Sequence, residues 1–148
     1  MGAHITHINN AKMEVRHSAR GESDWRCLDL SGEHLGVRIE ELPPGSNSSY
    51  HHYHTAEEEH VLVMQGTGTL HLGQEAIEIT SGDHIVFPAG EALPHHIENT
   101  SAQPITYLVF GERRTDDVVM YPDSSIALVK SSQGQRWYTF EDYVPEDV

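Results

Sequence analysis

With Cys27 as its only cysteine, this chain cannot close an internal disulfide, so its stability must come from non-covalent packing. Its 148 residues make that feasible, because one domain of this length buries roughly two-thirds of its unfolded surface. Cys27 is accordingly read as a small buried residue. Basic residues are also scarce. Nine Lys and Arg stand against 23 Asp and Glu, a formal net charge of -14, and a surface of that sign repels a phosphate backbone, so nucleic acid is not an expected partner. Long apolar runs are missing too. None approaches the roughly twenty residues of a membrane span, and the segment from Met1 to Arg20 lacks the apolar stretch of a secretory signal, so a cytoplasmic protein with no membrane association is expected. Two loose motifs are incidental on this reading: Met1, Gly2 and Thr6 fit a myristoylation pattern without a polybasic second signal, and Asn47-Ser48-Ser49 and Asn99-Thr100-Ser101 are sequons without an export signal.

What is present is a two-residue apolar period. It predicts strands over Trp25 to Leu30, Leu35 to Leu42, His60 to Met64, Thr67 to Leu72, Glu75 to Thr80 and His84 to Phe87. His95 to Asn99, Ile105 to Phe110, Ser125 to Val129 and Trp137 to Phe140 continue the series, and Pro43-Pro44-Gly45, Gly66, Gly73-Gln74, Ser81-Gly82 and Pro88-Ala89-Gly90 punctuate it. No stripe of helical period occurs, so the fold class is all-β, a sandwich or barrel. No repeat or linker divides the chain. One domain over 1–148 is expected, with a core at about 35–112, N- and C-terminal extensions packing on the barrel, a polar connection at Arg113 to Asp117, and an acidic, fraying end from Glu141 to Val148.

Twelve histidines are the compositional excess, and their spacing matters more than their number. On a strand, residues two apart share a face about 7 Å apart, so His52 and His54 can converge on one ion while Tyr53 points away. Glu59 opens the next strand and can add a hard oxygen ligand. Farther on, His95, Ile97 and Asn99 share a face opposite His96 and Glu98, which makes His95 the third imidazole. Imidazole with carboxylate suits divalent iron, manganese, nickel, copper or zinc. Glu57 and Glu58 are expected to be solvated turn residues, and His51, His60, His71 and His84 surface or packing residues, His51 also a candidate hydrogen-bond partner to a ligand. Arg113 and Arg114 are expected on the surface, with a carboxylate or phosphate clamp as the alternative, and Tyr50 and Tyr107 in core or rim packing, with proton supply near the metal as the alternative.

These residues resemble the two motifs of the cupin superfamily. His52, His54, Glu59 and Gly66 match the first, and Gly82, Pro88, Gly90, His95 and Asn99 match the second. Two spacings are longer than the family form, Gly45 to His52 by one residue and Gly90 to His95 by two. The second leaves both His95 and His96 open as the inward residue, with His95 favoured by Pro94 and its distance to Asn99; Glu58 stays open beside Glu59. The segment from Pro43 to about Val129 is similar to compact bacterial cupins, some described as sugar-phosphate-isomerase-like. The resemblance implies a jelly-roll barrel holding one divalent transition metal per chain, a pocket for a small polar ligand, and pairing into a homodimer. It also implies a choice among isomerase or lyase chemistry, dioxygenation, and metal-dependent binding without catalysis. Isomerase or lyase action on a sugar derivative or organic acid is the leading expectation.

Overall fold

The computed structural model describes residues 2–17 and 24–140. Its strands are β1 (Glu14–His17), β2 (Asp24–Asp29), β3 (Leu35–Leu42), β4 (Tyr53–His54), β5 (Glu59–Gln65), β6 (Thr67–Leu72), β7 (Glu75–Thr80) and β8 (His84–Phe87). They continue as β9 (His95–Glu98), β10 (Ile105–Glu112), β11 (Val118–Tyr121), β12 (Ile126–Ser131) and β13 (Gly134–Thr139), with one 3-10 turn at Pro122–Ser124. A six-stranded sheet runs β1-β2-β3-β10-β5-β8. Three-stranded β7-β6-β9 and four-stranded β13-β12-β11-β4 complete the architecture, and isolated bridges pair Asn47 with Glu98 and His52 with His95, Glu98 and His95 both on β9. Every ladder is antiparallel. The result is the all-β jelly roll.

The two-residue period decides which side chains go inside. Leu42, Val61, Val63, Ile105, Tyr107 and Val109 of the six-stranded sheet pack on Leu70, Ile79 and Ile97 of the three-stranded one, with Phe87 beside them. Each such burial contributes about 1.5–3 kcal/mol. The intervening residues face out, so Leu62 and Met64 remain exposed. The β5–β6 turn requires glycine at 66: its φ is +89°, and a Cβ there would lie 2.6 Å from the Pro104 carbonyl.

Four strands, β3, β6, β7 and β8, have the bounds expected from the sequence. Two were not expected as strands: β1, and β11, which follows directly on the polar connection ending at Asp117; β4 covers part of the strand expected at His52 to His54. The acidic end from Glu141 to Val148 lies outside the described residues. Among the described residues, no helix is long and apolar enough to cross a membrane.

Candidate metal centre

Local pairing brings the motif histidines together. The backbone of His52 and His95 forms a two-way hydrogen-bonded bridge, His95 N–H to the His52 carbonyl at 2.9 Å and the reverse at 3.2 Å, which sets their rings 4.7 Å apart. His54 is on β4 with its ring 5.3 Å from that of His52. Glu59 opens β5, with Oε2 3.7 Å from His54 Nε2 and Oε1 3.6 Å from His95 Nε2, both too long for hydrogen bonds. Ligand-capable atoms of His52, Glu59 and His95 all lie within 4.8 Å of one another.

Each imidazole is held from behind. The Nδ1–H of His52 donates to the Tyr50 carbonyl at 2.8 Å, and a carbonyl can only accept, so Nε2 carries the free lone pair. In the same way His54 Nδ1–H donates to the Asp117 carboxylate at 2.7 Å, leaving its Nε2 free. His95 is fixed by stacking on Phe87, ring centroids 3.5 Å apart. It is only 4% exposed, and both of its ring nitrogens are buried with no hydrogen-bond partner among the described residues. A native protein rarely leaves such atoms unsatisfied, so this orphaned histidine, beside a carboxylate at non-bonding distance, fits a divalent metal as the missing partner.

The electrostatics agree. Burial, joined by the neighbouring His95, pulls His52 down to about 4, which keeps it neutral. Burial pushes the Glu59 carboxyl up, but the three facing imidazoles outweigh that and bring it to about 2, so it is ionised. For His54, burial acts downward and is exceeded by the Asp117 hydrogen bond and the charges of Glu59, Asp117 and Glu57, so its pKa is raised. That raised value is a property of the metal-free site, since a cation at Nε2 competes with the proton.

Not every histidine or acid of the motif segment enters this cluster. Glu58 turns away and accepts from His60 at 2.7 Å. His96 pairs with His51 at 2.9 Å and stacks on His71; burial holds it at about 4. Glu57, expected in a solvated turn, is buried, because Lys130 of β12 donates to both its oxygens at 2.9 Å. Glu57, Asp117 and His54 form a second potential ligand group, but Lys130 already occupies it, donating to Glu57 and lying 3.5 Å from Asp117. Tyr107 is buried, as expected, with its hydroxyl donating to Glu40 at 2.7 Å.

The sequence did not point to Asp117, Lys130 or Tyr121. Asp117 is fully buried and accepts from His54 and from the backbone N–H groups of Ala56 and Glu57. Tyr121 lies with its ring 5.6 Å from that of His52, and Tyr50 meets it edge-on. All three come from the segment after β10, and only long-range pairing brings them here. The cluster sits in a cavity of about 820 Å³ whose lining also includes Arg38, Glu40, Tyr107, Tyr121 and Arg113.

Comparison with known proteins follows this geometry. Residues 38–111 match the family model Cupin_2, described as a cupin domain. The chain is 34% identical over 67 residues to an uncharacterized protein of Methanocaldococcus jannaschii, a match that covers 45% of this chain and spans about half, 51%, of that relative's length. Among solved structures it resembles a candidate sugar phosphate isomerase from Acidithiobacillus ferrooxidans, with 28% identity, a TM-score of 0.84 and coverage of 93% of this chain and 90% of that one. It also resembles a cupin-superfamily sugar phosphate isomerase from Silicibacter pomeroyi, with 25% identity, a TM-score of 0.80 and 90% of each chain covered.

Proposed function

This chain belongs to the cupin domain family, and from that premise we propose that it is a metal-dependent enzyme acting on a small oxygen-rich molecule, a sugar derivative or organic acid, by isomerase- or lyase-type chemistry. The observation that carries the reading is His95, buried with both nitrogens unpartnered and facing Glu59 at the floor of an open cavity. His52, His54, Glu59 and His95 would hold one divalent transition metal. Bound there, the metal supplies Lewis acidity toward chelating substrate oxygens. Two solved structures that this chain resembles are named for isomerisation of sugar phosphates, which supports the same class of reaction.

The chain's own groups do the rest. Asp117 and the Tyr50 carbonyl fix two imidazole tautomers, so the ligand atoms need no reorganisation. The Tyr121 phenol is raised in pKa by burial and by the charges of Glu59 and Asp117; it stays protonated and can donate to a substrate oxygen beside His52. Across the cavity, Glu40 supplies a buried carboxylate that Tyr107 and Arg38 hold in place.

Elemental analysis of protein purified without chelators should give about one metal per chain. The double substitution His52→Ala, His54→Ala should abolish it while leaving the β-rich circular dichroism unchanged; full occupancy in that variant would refute the ligand set. Zinc, manganese and nickel forms should each convert a member of a sugar-phosphate and organic-acid panel without oxygen. Turnover by the iron form alone, and only with oxygen, would indicate a dioxygenase, whereas tight binding with no mass change over hours would make this a binding protein.

A further inference from the structure

Four of the nine basic residues, Arg38, Arg113, Arg114 and Lys130, line the cavity into which His52, His54, Glu59 and His95 are gathered. Two of them are occupied. Arg114 is held by Asp116 at 2.8 and 2.9 Å and approached by Glu112 at 3.4 Å, and Lys130 by Glu57. Arg38 and Arg113 differ. The Nε–H of Arg38 donates to Glu40 at 3.1 Å, and the other Glu40 oxygen is taken by Tyr107. The two terminal nitrogens of Arg38 have no partner among the described residues, and its side chain is 40% exposed. Arg113 gives one terminal nitrogen to the Gly32 carbonyl at 2.7 Å, a neutral acceptor, and meets no carboxylate among the described residues.

Register places both side chains along one face of β3, in the lining of the same cavity. Gly36 and Arg38 lie two apart on the inner face of β3, and the Arg113 stem lies over Gly36, where a Cβ would be 3.6 Å from its Cγ. Across the sheet, Gly36 pairs with Gly111 and Gly111 with Glu59. The row from Gly36 through Gly111 to Glu59 therefore links the arginines to the metal-ligand cluster across two strand spacings, roughly 10 Å.

We infer that Arg38 and Arg113 form an anion clamp that holds a carboxylate or phosphate at one end of the substrate, so that the substrate is a small acid whose other end carries hydroxyl or carbonyl oxygens. A guanidinium edge fixed by Glu40 is pre-oriented for two-point contact with such a group. The identity of the far end rests on the metal-dependent reading proposed above; the clamp itself does not.

The test is an NMR titration of metal-free protein with inorganic phosphate and, separately, with malate. Both should bind, and Arg38→Gln and Arg113→Gln should each raise the apparent Kd roughly tenfold or more, with the exposed Arg136→Gln unchanged. Arg38→Lys, which keeps the charge and loses the fork, should fall between. If Arg38→Gln fails to fold, Arg113→Gln on the rim decides the matter. Preference for phosphate would support the clamp and name a phosphorylated substrate; preference for malate would support it and name a carboxylic acid. Equal affinity in wild type and both Gln variants, or no binding of either anion, would overturn the clamp even if one metal per chain is found. Arginine-dependent anion binding in a protein that takes up no metal would instead uphold the clamp and refute the metal reading.

Discussion

Asp117 lies outside the segment that carries His52, His54 and Glu59, yet its carboxylate decides which nitrogen of His54 is free. An Asn there has one acceptor oxygen for donors that the two carboxylate oxygens now share, His54 Nδ1–H on one and the Ala56 and Glu57 N–H groups on the other, and it removes the charge that faces Lys130. Asp117→Asn is therefore expected to weaken metal affinity roughly 10–100-fold, measured by chelator competition, with little change in circular dichroism. Unchanged affinity would show that His54 needs no anionic partner. The histidines also give the metal-free protein a definite pH response. His52 and His96 are held at about 4, whereas both protonate near 6.5 in the unfolded chain. Between those values the unfolded state binds protons that the folded state refuses, so stability falls as pH drops from about 6.5 to 4. Glu59, at about 2 against 4.5, extends the loss to lower pH, while the raised His54 opposes it in part. The thermal midpoint should drop between pH 7 and pH 4.5, and His96→Gln should make the drop shallower; a flat profile would contradict the assignment of neutral buried rings.

At the scale of elements, strands β3, β6, β7 and β8 were legible in the sequence because they alternate apolar and polar residues between glycine or proline turns. The same alternation made His52, His54 and His95 readable as candidates. The strand at His52 to His54 was legible from the same alternation, but its partner β11 was not, since that pairing is long-range. β11 itself, Val118-Val119-Met120-Tyr121, begins directly after the charged run Arg113 to Asp117, which masks it; with it went Asp117, Tyr121 and, on β12, Lys130. No local signal marks a residue whose role depends on a partner more than sixty positions away, as Asp117 and His54 are. Gly111 was likewise unremarkable in sequence, yet a Cβ there would lie 2.6 Å from the Glu58 carbonyl. Gly111→Ala must push β10 from the start of β5, at a cost of about 1–3 kcal/mol. A lower urea midpoint with an unchanged slope would report this; an unchanged midpoint would mean the two strands separate freely.

Over the whole molecule, charge constrains how copies can meet. Two chains of -14 repel each other, so a stable pair requires a face with few acids. The outer side of the six-stranded sheet offers one. Leu62 is 37% and Met64 44% exposed; the polar groups beside them are His60 and His84, hydrogen-bonded to each other at 2.9 Å and stacked on Phe110, with Glu58 as the one carboxylate bonded to them, at His60. The C-terminal strands β11 to β13 pair with β4 in a separate sheet. We propose that a second copy covers the outer side of the six-stranded sheet, forming a homodimer through the apolar residues of β5 and β8. Light scattering at micromolar concentration in about 0.15 M salt should give twice the chain mass of 16.6 kDa. Added salt should tighten the pair by screening the net repulsion, the opposite of what an interface built on ion pairs would do. Met64→Glu, which plants a like charge on both sides of the contact, should return the mass to 16.6 kDa with the β-sheet signal intact; a wild-type chain already at that mass under these conditions would rule the dimer out.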